Sequence, residues 1–397
     1  MDLVLVIVAP GQGAQTPGFL TPWLEDPTFA ARFDWLATVA GIDLAHYGTE
    51  ADADTIRDTK IAQPLLVATG LVAALDLFPQ PADAFARIGA VAGHSVGELT
   101  AAAGARVITA EQAMVLVRER GNAMADAAAT TATGMTAVLG GDREEVLAAI
   151  ERHGLTPAND NGAGQVVAAG TMEQLAAFAD EPPAKARLMP LSVAGAFHTT
   201  HMAPAVDRLA SLARSVSTHD PRTPVISNRD GQVVHDGRDV LRRMVGQIAN
   251  PVRWDLCMET MSDLGVTGIL EMPPAGTLTG IAKRALKGVE TFALKTPDQL
   301  DAARDFCDKH GEASMIETTP TWRMVVSPVK GTFHLSSEAV ERDLLAPGAT
   351  IGAVASLRER TEITAPHGGS VVEWLVEDGD LVSPGQPLLR LHPEASA

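Results

Sequence analysis

The stretch IGAVAGHSVGEL, residues 88–99, decides the fold class of this 397-residue chain. Its first part is a short apolar run typical of a buried strand, and its second part begins a helical pattern over Val96–Ala103. Gly93 and Gly97 permit a tight strand-to-helix turn, which exposes the hydroxyl of Ser95 and lets the next backbone N–H face an oxyanion. The pattern predicts a nucleophile elbow in an α/β fold. A tight turn with a bystander serine is the alternative on this motif alone.

Strand-like and helical segments alternate over the first three-quarters of the chain. The predicted strands are Leu3–Val8, Ile88–Val91, Thr136–Leu139, Val166–Ala169 and Gly268–Glu271. The predicted helices are Ala62–Leu77, Val96–Ala103, Ala110–Ala125, Glu144–Glu151 and Ala203–Val216. This alternation predicts an α/β fold with a mainly parallel sheet. Residues 134–193 have a β-α-β-α-β rhythm of their own, which predicts a small inserted subdomain over about 130–193.

The composition changes after about Glu312, where helical periodicity fades and proline, glycine and β-branched residues become frequent. Two short sequences then recur at nearly the same offset. SPVKGT at 327–332 is echoed by APHGGS at 365–370, and DLLAPG at 343–348 is echoed by DLVSPG at 380–385. A repeat of short strands and turns predicts a small all-β domain built from two similar halves.

The overall composition excludes several classes of protein. Hydrophobic residues make up 46% of the chain and charged residues 20%, which is typical of a globular protein and not of a disordered or fibrous one. The net charge is −18, so nucleic-acid binding is not expected, because phosphate contacts need a positive surface. Cys257 and Cys307 are the only cysteines, too few for a disulfide scaffold or a cysteine-based zinc site, and we expect no metal site.

The amino-terminal residues MDLVLVIVAP, 1–10, differ from a secretory signal peptide because no basic residue precedes the apolar run. That run is too short to cross a bilayer, and no other run approaches ~20 apolar residues. The low cysteine content fits a reducing compartment. We therefore expect a cytoplasmic protein that does not associate with membranes.

Two further segments carry candidate groups for a serine-based reaction. PGQGAQ at 10–15 follows the first predicted strand and matches neither the dinucleotide fingerprint nor the P-loop. It is either a loop that brings a backbone N–H close to a reacting carbonyl or an ordinary turn. FHTTHM at 197–202 follows the strand-like Leu191–Val193 and contains His198 and His201. A serine nucleophile needs a base whose pKa suits neutral pH, and either histidine meets that requirement.

Six motifs follow one another along roughly residues 1–310. They are PGQGAQ at 10–15, GHSVGE at 93–98, RGNAM at 120–124, NDNGAGQVV at 159–167, His198 with Met202, and NPVRW at 250–254. Together they resemble the malonyl-CoA:acyl carrier protein transacylase family, which includes the acyltransferase domains of polyketide synthases. The resemblance implies a catalytic domain over 1–315 with a hydrolase-like core and an inserted ferredoxin-like subdomain. It also implies transfer of malonyl from malonyl-CoA to an acyl carrier protein by a ping-pong mechanism.

The resemblance implies a role for each matched residue. Ser95 attacks the thioester carbonyl and His198 accepts its proton. The backbone N–H groups of Gln12 and Val96 hold the oxyanion. Arg120 pairs with the free carboxylate of the malonyl group, because a guanidinium binds a carboxylate in a bidentate manner.

The resemblance also implies a set of supporting residues. A main-chain carbonyl near Arg253, rather than an aspartate, orients the catalytic histidine. Phe197, a bulky aromatic residue just before that histidine, favours malonyl over methylmalonyl, although excluding one methyl group is worth only ~1–3 kcal/mol. Contacts with CoA or pantetheine are expected from Gln63, Asn161 and Gln165.

The sequence departs from the family at MPPAG, residues 272–276, where the family has a GPG loop. His201 has no role in the family.

Three functions are alternatives to a malonyl transferase. The first is an acyltransferase that takes methylmalonyl or another acyl group instead of malonyl. The second is a serine thioesterase or hydrolase with the same elbow. The third is a catalytically idle docking subunit. Arg120 and Gln12 argue against a hydrolase, and the intact set of catalytic residues argues against an idle subunit.

Residues 322–397 resemble a biotinyl/lipoyl-carrier domain, a flattened all-β barrel of two similar halves. Alignment through TAP at 364–366 places Arg358 where that family has its attachment lysine. A guanidinium stays protonated and does not form the amide, so the resemblance implies a domain without biotin or lipoate. Lys330 lies in a different turn and does not replace that lysine. The domain is then an interaction or stability module that contacts other synthase components.

An acyl carrier protein is usually acidic, so a chain with a net charge of −18 needs a local basic patch to bind one. The sequence predicts such a patch at Lys283, Arg284 and Lys287. A solvated helix face is the other interpretation of these three residues.

Overall fold

The computed structural model describes residues 3–193, 195–311, 323–336, 339, 344–356, 359–366 and 368–392. The chain divides into two compact units, Met1–Ile316 and Glu317–Ala397, called the first and second units below.

The strands of the first unit are β1 Leu5–Ala9, β2 Ile88–Gly93, β3 Thr133–Gly140, β4 Thr156–Asp160, β5 Gln165–Thr171, β6 Ala186–Pro190, β7 Val225–Ile226, β8 Val233–Val234, β9 Val252–Arg253, β10 Gly268–Glu271 and β11 Glu290–Ala293. Its helices are α1 Thr21–Leu24, α2 Pro27–Ala40, α3 Leu44–Thr49, α4 Thr59–Leu77, α5 Pro81–Arg87, α6 Gly97–Gly104, α7 Ala110–Ala128, α8 Arg143–Arg152, α9 Met172–Asp180, α10 Ala203–Ala213, α11 Gly237–Gln247, α12 Trp254–Asp263, α13 Thr277–Ala285 and α14 Leu300–His310.

A six-stranded sheet lies at the centre of the first unit, in the order β11-β10-β1-β2-β7-β8. The strands from β11 to β7 are parallel to their neighbours, and the edge strand β8 is antiparallel to β7. Strand β1 has the sequence LVIVA and is almost completely buried, as expected where helices cover both faces of a parallel sheet. The mainly parallel sheet and the predicted strands Leu3–Val8, Ile88–Val91 and Gly268–Glu271 are confirmed.

Helix α4 packs against α2 and α7 in the interior of the first unit. The side chain of Asp58 accepts a hydrogen bond from the backbone N–H of Lys60 and so caps the first turn. By length and composition alone α4 could cross a membrane, but 72% of its apolar window is buried inside the protein. It is a core helix, and the helix predicted over Ala62–Leu77 is confirmed with an earlier start at Thr59.

A second sheet of the first unit has five strands in the order β6-β3-β5-β4-β9. Val138, Ile150 and Phe178 form part of the hydrophobic core that this sheet shares with α8 and α9. The segment predicted over about 130–193 contains all of these elements except one strand. Strand β9 comes from residues 252–253 and pairs in parallel with β4, so backbone hydrogen bonds join the segment to a distant part of the chain.

The described strands of the second unit form two four-stranded sheets, in the orders β12-β19-β17-β14 and β16-β15-β13-β18. These strands are β12 Arg323–Val326, β13 Gly331–Leu335, β14 Leu344–Leu345, β15 Thr350–Ala355, β16 Arg360–Thr364, β17 Gly369–Trp374, β18 Leu381–Val382 and β19 Pro387–His392. Their described pairings are antiparallel, and Phe333, Ile351 and Leu388 are fully buried in the core. The predicted all-β region is present. Strands β15 and β16 pair in antiparallel fashion, while Arg358, which lies between them in sequence, is outside the described residues.

Candidate active site

Ser95 lies at the sharp turn between β2 and α6. A Cβ atom on Gly93 would overlap the backbone of Gly97, and one on Gly97 would overlap the carbonyl oxygen of Ala9, so both positions require glycine. The turn holds Ser95 at a φ of 53°, in the left-handed region that residues other than glycine rarely adopt. The strand, turn and helix predicted from residues 88–99 are therefore confirmed.

The hydroxyl of Ser95 and the imidazole of His198 lie within hydrogen-bond distance. Ser95 Oγ is 2.8 Å from His198 Nε2, and His198 Nδ1 is 2.8 Å from the main-chain carbonyl oxygen of Gln247. Because a carbonyl oxygen only accepts, Nδ1 carries the proton and Nε2 is free to accept the serine proton. The orienting carbonyl expected near Arg253 is thus that of Gln247. Arg253 is held in the pairing of β9 with β4, and its guanidinium binds Asp255.

His198 is buried and uncharged at neutral pH. Its exposed fraction is 4%, its φ is 61°, and its backbone N–H donates to the carbonyl oxygen of Ile248 at 3.1 Å. Burial, and next the positive charge of Arg120, lower the pKa of His198 to about 3. The neutral ring is the form that accepts a proton from a nucleophile.

Arg120 on α7 brings a buried positive charge to the hydroxyl of Ser95. Its Nη2 donates to Ser95 Oγ at 3.2 Å and to Gln247 Oε1 at 3.0 Å, and its Nη1 donates to Gln63 Oε1 at 2.6 Å. Burial lowers the pKa of Arg120 to about 10, against the opposing effect of Glu98, so the guanidinium is charged at neutral pH. A buried guanidinium bound to a hydroxyl and to amides can accept an incoming carboxylate in a charge-assisted pair.

Glu98, Asn228 and Gln247 connect the groups of the site and are not among the residues predicted from the sequence. Gln247 Nε2 donates to Glu98 Oε2 at 2.6 Å, to Asn228 Oδ1 at 3.0 Å and to the Ser95 carbonyl oxygen at 3.1 Å. The backbone N–H of Asn228 donates to Glu98 Oε1, and that of Ser95 donates to Asn228 Oδ1. Burial raises the pKa of Glu98 to about 7. Glu98 closes the GHSVGE motif and could have been found there, whereas no motif marks the contacts of the other two.

The PGQGAQ loop packs against the elbow. A Cβ atom on Gly11 would lie 2.9 Å from the carbonyl oxygen of His94, and the His94 N–H donates to the carbonyl oxygen of Ala9 at 2.9 Å. Among the described residues, the backbone N–H groups of Gln12 and Val96 have no hydrogen-bond acceptor. Both groups are therefore available to an oxyanion.

Residues 6–317 match the family model of the acyl transferase domain. The chain belongs to the acyl transferase domain family. The malonyl CoA-acyl carrier protein transacylase of Mycobacterium tuberculosis is 49% identical over 298 residues, which cover 75% of this chain and 98% of that protein.

Solved structures agree with this membership. The crystal structure of MCAT from Mycobacterium tuberculosis has a TM-score of 0.73 and 49% identity, and the match covers 76% of this chain and 99% of that one. A malonyl-transacylase solved in complex with a type II PKS acyl-carrier protein has a TM-score of 0.71 and 30% identity, with coverage of 76% and 99%. The family match ends at residue 317, next to the boundary between the two units, so almost all of the second unit lies outside it.

In this acyl transferase domain, the three residues expected to contact CoA or pantetheine lie in different surroundings. Gln63 is 2% exposed and binds Arg120, so the structure makes it a support for the guanidinium. The Oδ1 of Asn161 is 2.9 Å from His94 Nε2, which links the smaller sheet to the elbow. Gln165 Oε1 accepts a hydrogen bond from Arg284 at 3.4 Å. Contact of these side chains with CoA stays a prediction.

The remaining sequence candidates lie on three different segments of the acyl transferase domain. Phe197 is 6% exposed and packs in the main hydrophobic core, adjacent in sequence to the histidine that contacts the serine. His201 lies in a short 3₁₀ turn, and the choice between the two histidines falls on His198. Lys283 and Arg284 occupy the last turn of α13, and Lys287 follows that helix.

The segment Met272–Gly276, where the sequence departs from the family, leads into α13. The carboxylate of Glu271 accepts hydrogen bonds from the backbone N–H groups of Gly276 and Thr279 at 2.9 and 2.8 Å, which fixes the start of that helix. In the part of the chain that the structure describes, no group of three or more His, Cys, Asp and Glu residues could hold a metal ion.

Proposed function

We propose that the first unit transfers a malonyl group from malonyl-CoA to the phosphopantetheine thiol of an acyl carrier protein through an ester on Ser95. The observation that carries this proposal is the position of Arg120, whose Nη2 lies 3.2 Å from the Ser95 Oγ. A carboxylate on an acyl group bound to Ser95 is within reach of this guanidinium. The relative named as a malonyl transacylase and the neighbour solved with an acyl-carrier protein support the same two substrates.

In the first half-reaction, Ser95 Oγ attacks the thioester carbonyl carbon while His198 Nε2 takes the hydroxyl proton. The backbone N–H groups of Gln12 and Val96 stabilise the negative charge that develops on the carbonyl oxygen. The carbon–sulfur bond then breaks, and His198 returns its proton to the departing CoA thiolate. The malonyl group remains as an ester on Ser95.

The second half-reaction reverses these steps with a different thiol. His198 takes the proton of the pantetheine thiol, whose sulfur attacks the ester carbonyl carbon held by the same oxyanion groups. The ester carbon–oxygen bond breaks, and Ser95 Oγ recovers the proton from His198. The products are a malonyl thioester on the carrier protein and the free hydroxyl of the enzyme.

Arg120 acts on the base as well as on the substrate. In the free site its charge is the second cause, after burial, of the low pKa of His198. A malonyl carboxylate bound to Arg120 compensates that charge, so the pKa of His198 rises when a carboxylated acyl group is bound. An acetyl group brings no such compensation. The guanidinium therefore favours carboxylated acyl groups in the chemical step as well as in binding.

The space beside Ser95 is narrow. A cavity of about 10 Å³ lies next to Ser95 and Arg120, with Leu116 and Leu241 in its wall. This volume holds about one water molecule, so any acyl group, malonyl included, enters it only with rearrangement, and the cavity does not distinguish one acyl group from another. The preference for malonyl therefore rests on Phe197, and methylmalonyl remains the alternative acyl group because one methyl is worth only ~1–3 kcal/mol.

The test is intact-mass measurement of the full chain after exposure to malonyl-CoA, methylmalonyl-CoA and acetyl-CoA. We expect a malonyl adduct on Ser95 that persists until a carrier protein with its pantetheine thiol is added. Ser95→Ala is the control and should take no adduct. A serine hydrolase would instead release malonate without a carrier protein, and a chain that neither holds nor releases malonyl would contradict the proposal.

We assign the catalytic domain to residues 1–315, with a ferredoxin-like subdomain over about 130–193 inserted in a hydrolase-like core, and a biotinyl/lipoyl-like domain to 322–397. With Arg358 at the attachment position, the latter carries neither biotin nor lipoate and contacts other synthase components. The protein works in the cytoplasm. Mass spectrometry after co-expression with biotin and lipoate ligases should give the unmodified mass, and an adduct on a lysine of 322–397 would overturn this assignment.

A further inference from the structure

A large cavity in the first unit has no part in the reaction described above. Its volume is about 610 Å³, and it lies between α2, α4, α5, α6 and the start of α7, beside the strands β1 and β2. Ser95, Arg120 and His198 do not line it. A volume in the range of ~300–1,000 Å³ is typical of sites that bind small molecules.

The wall of this cavity is mostly hydrocarbon. Leu71, Phe78 and Phe85 are among the side chains that line it, together with Trp35 and Leu75. Trp35 is 57% exposed and Leu75 is 44% exposed, although both are large apolar side chains. Exposed apolar residues that continue into an apolar cavity mark an entrance for an apolar ligand.

The charged groups at the cavity differ in whether they already have a partner. Arg32 binds Asp76 at 2.7 Å, and Glu111 accepts a hydrogen bond from the indole of Trp35 at 3.1 Å. The guanidinium of Arg106 lies over the ring of Phe85, 5.6 Å from its centroid. Within the described residues Arg106 pairs with no carboxylate. One positive charge at an apolar cavity is therefore available to a ligand.

We propose that this cavity binds a free medium-chain fatty carboxylate, with the alkyl chain inside the cavity and the carboxylate on Arg106. Nucleotides and sugars need many polar partners, which this wall lacks, whereas an alkyl chain needs none. The head group must be anionic to form a charge-assisted ion pair with the guanidinium of Arg106. In a chain with a net charge of −18, an anion is held only where a cation stands close by.

The test is calorimetric titration of the full chain with dodecanoate below its micellar concentration. We expect saturable binding of one dodecanoate per chain and a change in tryptophan fluorescence that the Trp35→Phe variant lacks. Binding here does not depend on the reaction of Ser95, so the Ser95→Ala variant should bind dodecanoate equally well. The absence of saturable binding would overturn the proposal.

Variants separate the roles of charge and cavity. Arg106→Gln should weaken dodecanoate binding about ten-fold and leave binding of its methyl ester unchanged, because only the acid forms a charge-assisted hydrogen bond. Arg118→Gln is the matched control, since Arg118 is an exposed arginine on α7 outside the cavity, and it should bind as the parent does. Ala74→Trp on α4 should fill the cavity and remove binding of both ligands. Equal affinity of Arg106→Gln and the parent for dodecanoate would overturn the assignment of the carboxylate to Arg106.

Discussion

The Nη2 atom of Arg120 lies 3.2 Å from the Oγ atom of Ser95, inside a site where the guanidinium is 2% exposed. A positive charge thus touches the hydroxyl of Ser95 directly. The same charge lowers the pKa of His198, the base that receives the serine proton in the proposed mechanism. In that mechanism, substrate selection and base strength are coupled through one side chain.

Replacing Arg120 by alanine should change substrate preference. Arg120→Ala removes the partner of the malonyl carboxylate, so we expect malonyl transfer to fall roughly 30-fold or more, while acetyl transfer is spared or improved. The measurement is the rate of Ser95 acylation with each thioester. Arg118→Ala, an exposed position on the same helix, is the control. Equal losses for both acyl groups would mean that Arg120 is only structural.

The pH dependence of acylation should differ between acyl groups. His198 accepts the serine proton only when neutral, so acylation falls as pH drops through its pKa. A malonyl carboxylate compensates Arg120 and raises that pKa, whereas acetyl does not. At saturating thioester we expect the acidic limb for malonyl-CoA to lie at higher pH than that for acetyl-CoA. Coincident limbs would contradict this coupling.

Glu98 should make the stability of the first unit depend on pH. Its pKa rises from an ordinary value of 4.5 to about 7 in the folded protein. The folded state thus binds this proton more tightly, so the stabilisation is complete below pH 4.5 and is lost as pH rises through about 7. The parent should lose on the order of 3 kcal/mol over this window relative to Glu98→Gln. Urea unfolding followed by tryptophan fluorescence measures the free energy of unfolding of the parent and of Glu98→Gln at each pH. An identical pH dependence of the two proteins would argue against a raised pKa of Glu98.

The elbow should not tolerate a side chain at Gly93. Gly93→Ala places a methyl group on the backbone of Gly97, and we expect a loss of roughly 4 kcal/mol or more in the free energy of unfolding, or failure to fold. Gly280→Ala on α13 is the matched control, because a Cβ there meets nothing within 4 Å, and it should gain ~0.5–1 kcal/mol. Thermal melts compare the two variants, and a stable, active Gly93→Ala protein would be inconsistent with the elbow.

Removal of the second unit should leave the chemistry intact. A chain that ends at residue 316 keeps all contacts described around Ser95, because these lie between residues 9 and 253. We expect the same malonyl adduct at the same rate by intact-mass measurement, with circular dichroism to establish folding. A folded but unacylated truncated protein would place part of the active site in the second unit.

The sequence by itself determined the elements whose geometry is local. The strand-turn-helix around Ser95 follows from two glycines that leave no room for a side chain, and the buried strand β1 follows from its apolar run. The motifs likewise located His198 and Arg120, because each stands in a short segment with its own recognisable pattern. All of these features depend on residues close together in the chain.

Only the tertiary structure decided which distant groups support these residues. The histidine is oriented by the main-chain carbonyl of Gln247, which precedes Arg253 in the chain, and Gln247 is in turn held by Glu98, 149 positions away in sequence. The cavity beside Arg106 is likewise assembled from residues of five helices, which no single segment predicts. Such contacts depend on how α11 packs on α6 and how α2 packs on α4 and α7. Packing selects the partner among many amides and carbonyls of identical chemistry, and for that reason no local pattern encodes it.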